Sequence, residues 1–310
     1  MAVFARWLGA VLAAVALAWP HGVPAAPAGP RGGMATIVDG SATLVRGAER
    51  FAIAEGLALK PEDIVETGPE AFVRVELDDR GAIELGPSTR VLLLTRVSPA
   101  RVPRLAYLLQ GWAKVTPGDA GAAAFRGVSA PGVDVAELAG TLVMRAADGG
   151  FAAFVERGEA RVAEQRATGA PVQHPLRAGG FLERPAGAKA VRAERPSPAF
   201  LGALPPPFRD TLPELAGRFA GRTVSAKPLA AMRYEEAEPW LVAEPALRRE
   251  FVRRWRARAS DPAFRASLVA NLRAHPEWEP VLFPERFEAR EGAAGYASGR
   301  VGSSGGAAVR

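Results

Sequence analysis

The sequence predicts a mainly β protein: an antiparallel sandwich or roll of many short strands, then a Pro-rich linker and a small α-helical C-terminal module. Three observations lead there. From Ile64 to Leu94 apolar and polar residues alternate on both sides of an Asp78-Asp79-Arg80-Gly81 turn, the period-2 pattern of strands buried on one face. Gly- and Pro-containing turn signals recur at short intervals through residues 35–163, and no helical pattern intervenes. Beyond Phe208 the apolar period becomes helical, and two segments begin with an acidic residue followed by Pro.

Taken in order, Arg6 and the apolar run Trp7–Trp19, followed by Val23-Pro24-Ala25 and Ala26-Pro27-Ala28, read as a cleavable signal peptide over residues 1–28. A membrane span needs about 20 apolar residues. An uncleaved anchor is the alternative. After a short leader, a β domain is expected over residues 35–165. Its strands are Ala35–Asp39, Ala42–Val45, Ile64–Glu66, Phe72–Leu77, Ala82–Leu85, Val91–Thr95, Leu105–Leu109 and Ala113–Thr116, then Phe125–Ser129, Val133–Leu138, Thr141–Ala146, Gly150–Glu156 and Ala160–Ala163. Gly111, Gly140 and Gly158 are read as turns between them. In Phe72–Leu77, Arg74 and Glu76 alternate with Val73, Val75 and Leu77 and are expected to face solvent. A Gly-x-Ala-x-aliphatic echo starts at Gly40, Gly111 and Gly158.

Residues 166–207 are crowded with Gly and Pro, ending in Pro205-Pro206-Pro207, and read as a linker with one strand near Gly180–Glu183. Residues 208–287 read as a helical module. Glu244-Pro245 and Asp261-Pro262 each supply an N-cap acid and Pro at the first helical position. Leu247, Phe251, Val252 and Trp255 share one helix face, as do Phe264, Leu268, Val269 and Leu272. Shorter helices are expected near Pro213–Ala220 and Tyr234–Leu241. The Gly/Ser/Ala-rich tail, residues 288–310, is expected to be disordered.

The 310 residues contain no cysteine, which excludes disulfides, thiolate nucleophiles and Cys-based metal sites. The net charge of +6 lies C-terminally: residues 29–190 hold 19 basic and 19 acidic residues, residues 191–310 hold 19 and 14. Arginine outnumbers lysine 35 to 4, a coding bias more than a phosphate-binding signature, so no nucleic-acid partner is expected.

The β region resembles the FecR domain family. The resemblance rests on Gly40-Ser41-Ala42, Asp63-Ile64-Val65-Glu66-Thr67-Gly68, Phe72 to Leu77, Asp79-Arg80-Gly81 and Gly86-Pro87-Ser88-Thr89-Arg90-Val91. It continues through Gly111 to Val115, Ala130-Pro131-Gly132-Val133, Leu138-Ala139-Gly140-Thr141 and Glu156 to Val162. Two departures fall in turns: Glu62 stands where the family has Gly, and Arg80 is inserted between Asp79 and Gly81. Regulators of that family carry a cytoplasmic sigma-factor-binding segment and a membrane span ahead of the domain, whereas here the β domain begins by about residue 35. The resemblance implies an exported module that contacts envelope proteins or wall polymers, and does not imply sigma-factor control.

Chemistry-bearing motifs are sparse. Outside the signal segment the histidines are His174 and His275; no H-x-x-x-H or His/Asp cluster exists, so no zinc site is expected, and a Ser-His-Asp triad would need one of these two, of which His275 is expected at a helix C-terminus, facing its dipole. Asp78-Asp79 and Glu235-Glu236 are paired carboxylates of the kind glycosidases use, but adjacent exposed acids are ordinarily solvated. Residues 118–127 are Gly-rich without the Lys-Ser/Thr of a phosphate loop. No cofactor is expected. The candidate binding surface is Arg248, Arg249, Arg253, Arg254 and Arg256, with Arg258, on the solvent side of one helix, together with Trp112, expected to be exposed in a polar slot of its strand. Trp240 and Trp255 are expected in the core, and Trp278 across the helices. The expected function is non-enzymatic binding or scaffolding in the periplasm of a Gram-negative bacterium. The partner would be an envelope protein or an anionic cell-wall or lipid polymer. A signalling adaptor and an envelope-polymer hydrolase are the alternatives.

Overall fold

The computed structural model describes residues 32–96, 102–119, 127–166 and 168–287. The expected signal segment, most of the 118–127 loop and the expected disordered tail lie outside the described residues. Sixteen strands are described: β1 (Gly33–Asp39), β2 (Ala42–Arg46), β3 (Glu49–Ala52), β4 (Ala58–Leu59), β5 (Ile64–Thr67), β6 (Phe72–Leu77), β7 (Ala82–Leu85) and β8 (Arg90–Thr95), then β9 (Arg104–Thr116), β10 (Val128–Ala130), β11 (Val133–Ala147), β12 (Gly150–Glu164), β13 (Val172–Arg177), β14 (Phe181–Arg184), β15 (Val191–Ala193) and β16 (Lys227–Pro228). They form one continuous sheet folded back on itself. One arm runs β16–β3–β2–β5–β8–β9, and the other β4–β1–β6–β7–β9.

The fold of the sheet lies in its long strands. The first part of β9, Arg104 to Gln110, pairs with β8, while Gly111 to Thr116 pairs with β7 and β11. Gly111 at the junction has φ +91°. In the β11–β12 hairpin Gly140 lies directly opposite Gly158, at φ +125° and +75°. A Cβ on Gly158 would lie 1.8 Å from the Ala139 carbonyl oxygen, and one on Gly140 2.1 Å from that of Arg157. These three glycines, read in sequence as turns, therefore bend continuous strands. Six expected strands merge into three, because a positive-φ glycine looks the same in sequence whether the chain reverses or only changes sheet direction.

The main core lies between the two arms, with Leu44, Val65, Val91 and Leu108 from one and Val73, Val75, Ile83 and Val115 from the other. The alternating pattern predicts open outer faces, but neither is open along its whole length. The face bearing Val45, Ile64, Leu92 and Tyr107 is covered by helices α2 (Tyr234–Leu241), α3 (Pro245–Trp255), α4 (Pro262–Ala270) and α5 (Glu279–Leu282). The other, bearing Phe72, Trp112, Val143 and Phe181, is covered by α1 (Pro198–Ala203) through Phe200 and by Phe208. α1 lies within the expected linker.

That linker is the main correction to the sequence reading. Residues 172–193 carry β13, β14 and β15, not one strand, and Ser197 caps α1 by accepting from the Phe200 N–H at 3.2 Å. Pro175 is tolerated in β13 because that strand pairs on one side only, with β12. The helical module is correspondingly a cover that shares its core with the sheet. Its N-caps divide the work. Asp261 accepts from the Phe264 N–H at 2.8 Å. Glu244 caps nothing, and instead accepts from the Tyr107 hydroxyl and the Gly132 N–H, each at 2.8 Å, pinning α3 to the sheet. Near Pro213–Ala220 only a 3-10 turn forms, Ala216–Phe219.

Both turn departures from the FecR pattern occupy the left-handed region: Glu62 at φ +67° and Arg80 at φ +66°. For Glu62 the strain accompanies a gain. Its carboxylate accepts from the Arg96 N–H at 3.1 Å and the Thr95 hydroxyl at 3.2 Å, and pairs with Arg254 of α3 at 3.2 Å. Glu62→Gly and Glu62→Ala both remove these contacts, but only alanine keeps the backbone penalty. The glycine variant is expected to be more stable than the alanine variant by about 1–2 kcal/mol in urea denaturation; equal stabilities would contradict the strained geometry.

Candidate binding surface

The six arginines of the α3 region separate into two sets. Arg248 pairs with Glu277 at 3.0 Å and Arg254 with Glu62 at 3.2 Å. Arg258 donates to the Met232 carbonyl at 2.9 Å and lies 5.3 Å from the centre of the Phe264 ring. These three are half-buried and hold the helical cover together. Arg249, Arg253 and Arg256 are exposed, and their spacing of i, i+4, i+7 aligns them in one stripe. Arg253 reaches both oxygens of Glu250, at 2.6 and 2.7 Å, but its side chain is 79% exposed, where such a pair contributes little.

Trp112 is not on this surface, nor is it exposed. It is 8% accessible on the opposite outer face, with its ring 5.2 Å from that of Phe200 and 5.2 Å from the Arg145 guanidinium. The polar slot inferred from its strand does face outward, but α1 closes over it. Trp240, Trp255 and Trp278 are buried as expected.

The paired carboxylates are structural or solvated. Asp78 accepts from the Gly32 N–H at 2.9 Å and Asp79 from the Gly81 N–H at 3.0 Å, shaping their turn. Glu236 binds Arg50 at 2.6 Å and the Arg233 N–H at 2.7 Å, while Glu235 is exposed. Among the described residues no group of three or more His, Asp or Glu side chains is placed to hold a metal ion. No described helix is long and apolar enough to cross a membrane.

His174 sits on β13, 3.4 Å from Glu164. His275 departs from expectation: instead of meeting a helix dipole in solvent it is fully buried, with Nε2 3.0 Å from the Tyr234 hydroxyl and Nδ1 without a hydrogen bond. Burial holds its pKa below the ordinary 6.5, against the opposing effects of Glu277 and Glu238 and with a small further lowering by Arg248. The unfolded chain therefore takes up a proton at His275 first as pH falls, and stability from this group is lost from about pH 6.5 downward. Glu62 and Glu84, both raised chiefly by burial, act in the opposite sense. The His275 contribution is thus the difference between wild type and His275→Gln: the gap in midpoint is expected to change between pH 7.5 and pH 5, in the variant's favour on acidification.

A charged ladder invisible in the sequence lies under the 205–216 segment. Arg74 of β6, Glu84 of β7 and Lys114 of β9 stand side by side across three strands, all buried. Arg74 binds Glu84 and, at 3.1 Å, Glu76. Lys114 binds Glu156 at 2.9 Å and the Phe208 carbonyl at 2.7 Å. Burial alone would raise the Glu76 carboxyl, but the N–H groups of Leu215 and Ala216, with Arg74 and Thr36, outweigh it and hold it below the ordinary range. The expectation that Arg74 and Glu76 face water is corrected by this strap.

A second polar row crosses the other arm: Thr43, Glu66, Arg90 and Gln110 are successive partners on β2, β5, β8 and β9. It borders an open cavity of about 290 Å³. Neither row can be found by spacing along the chain, since each is set by strand register.

No family model matches the chain, and no curated protein matches it. Among solved structures, the chain is similar to two crystal structures of candidate anti-sigma factors from Parabacteroides distasonis. One shares 15% identity over 43% of this chain with a TM-score of 0.34, the other 16% over 45% with a TM-score of 0.36. The matched region spans 59% and 64% of those chains.

Proposed function

We propose that the chain is a non-catalytic binding protein of the bacterial envelope that docks on an anionic surface through Arg249, Arg253 and Arg256. One observation carries this reading: half of the arginine cluster is consumed by internal contacts, yet the other half forms an aligned, solvent-facing stripe along α3 and its C-cap Arg256, on a helix that Glu244 pins to the sheet. Such a stripe attracts phosphate or carboxylate groups over about a Debye length. The exported location rests on the sequence alone. Phosphate-bearing lipid headgroups and anionic wall polymers share the required chemistry.

Sedimentation with phosphatidylglycerol vesicles, phosphatidylcholine vesicles and isolated cell-wall sacculi separates the sources. Wild type is expected to bind one anionic substrate at low salt and release it at high salt. Replacing all three arginines by alanine should weaken binding about 100-fold, at roughly 1 kcal/mol for each. Unchanged binding by the triple variant, or equal binding to phosphatidylcholine, overturns the reading.

A further inference from the structure

The uncovered polar row is the counterpart of the buried ladder. Both run across neighbouring strands on outer faces of the sheet; the buried one alternates base, acid and base, whereas the open one flanks an acid–base pair with a hydroxyl and an amide. The 205–216 segment seals one. The other stops beside α2, where the Trp240 indole N–H donates to Glu66 at 3.2 Å, and stays open.

Its interactions are convergent but slack. Arg90 Nε and Trp240 Nε1 both lie 3.2 Å from Glu66 Oε1, and Glu66 Oε2 accepts no hydrogen bond from the described residues. Arg90 Nη1 donates to Gln110 Oε1 at 3.2 Å, and Gln110 Nε2 to the Ser88 carbonyl at 3.3 Å. The contacts of Glu66 and Arg90 are long for charge-assisted bonds, so a ligand oxygen can compete for the same groups. Backbone irregularity concentrates here as well. Ser88 has φ +50°, Gly111 follows Gln110 at φ +91°, and the register shifts between Arg90 and Val91. A bulge of this kind re-aims side chains, and strained residues cluster where a surface is shaped for contact.

We infer that this trough, lined by Ser41, Thr43, Glu66, Ser88, Arg90 and Gln110, binds a neutral saccharide unit. Its volume lies near the lower bound of small-molecule sites, about 300 Å³. Glu66 is neutralised by its own Arg90, so the trough carries no net charge for an ion to cancel. It offers a carboxylate acceptor, a guanidinium donor, an amide that does both and three hydroxyls. Vicinal hydroxyls of a sugar each donate and accept, and can span Glu66 and Arg90 without separating them. The lining supplies no apolar side chain, which disfavours an apolar ligand.

The test is an NMR titration of the full chain with β-1,4-linked N-acetylglucosamine tetramer and with maltotetraose, in high salt to screen the arginine stripe. At least one saccharide should give saturable shifts centred on Ser41, Glu66 and Ser88. Gln110→Ala should weaken that binding about tenfold or more, the loss of one well-placed hydrogen-bonding group. Thr43→Val, nearly isosteric, serves as a second variant should Gln110→Ala perturb the fold. The triple α3 variant should bind the saccharide normally, so failure here and failure of anionic docking are separate results. Absence of saturation by either sugar, shifts centred elsewhere, or binding that survives both trough variants overturns the inference.

Discussion

Arg74→Ala is expected to destabilise the protein by about 3–5 kcal/mol, the loss that follows when one partner of a buried ion pair is removed. Arg74 is the cation shared by Glu84 and Glu76 beneath the strap, and all three side chains are buried. Truncation leaves Glu84 with only the more distant Lys114, and its already raised carboxyl would rise further. Removing both charges together, as Arg74→Met with Glu84→Leu, should cost less than Arg74→Ala alone, because a buried ion pair gains little over well-packed apolar groups. Urea denaturation measures both. A loss below about 1 kcal/mol for the single variant would mean that water reaches the ladder.

Trp112→Ala is expected to be comparably severe, about 3–5 kcal/mol, with Trp112→Phe milder. The indole is the floor on which α1 rests, so its loss opens a cavity and frees Phe200, which also meets Phe154 and Phe181. Thermal unfolding tests this directly. An exposed tryptophan would change stability by no more than about 0.5 kcal/mol. Anionic docking by folded Trp112→Phe should match wild type, since the ring and the arginine stripe lie on opposite outer faces.

The β class, the hairpin at Asp78–Gly81 and the two Pro-initiated helices were legible because each is written in local sequence. Phe72–Leu77 and Ala82–Leu85 alternate cleanly, and Pro245 and Pro262 mark the first helical residues of α3 and α4. What escaped was set by partners distant in the chain. Whether Arg74 faces water depends on a strap some 130–140 residues later, as its neighbour Glu76 shows by binding Leu215 and Ala216. Likewise, the arginines of the α3 region divide into those that hold the cover together and those that face solvent only once Glu62, Glu277 and Met232 are placed beside them. Gly140 and Gly158 signalled a backbone event, but not that the event was a shared bend.

The doubly covered sheet also has a consequence for biogenesis. Synthesis runs from the N-terminus, so every strand of the folded-over sheet emerges before α2 to α5, and most emerge before α1. Until those segments arrive, Tyr107, Leu92, Phe72 and Trp112 have nothing to shelter them from other nascent chains. The polypeptide thus passes through a sticky, half-dressed stage, and a holdase that keeps it apart from its siblings would raise the yield of native molecules more than one that merely speeds strand pairing.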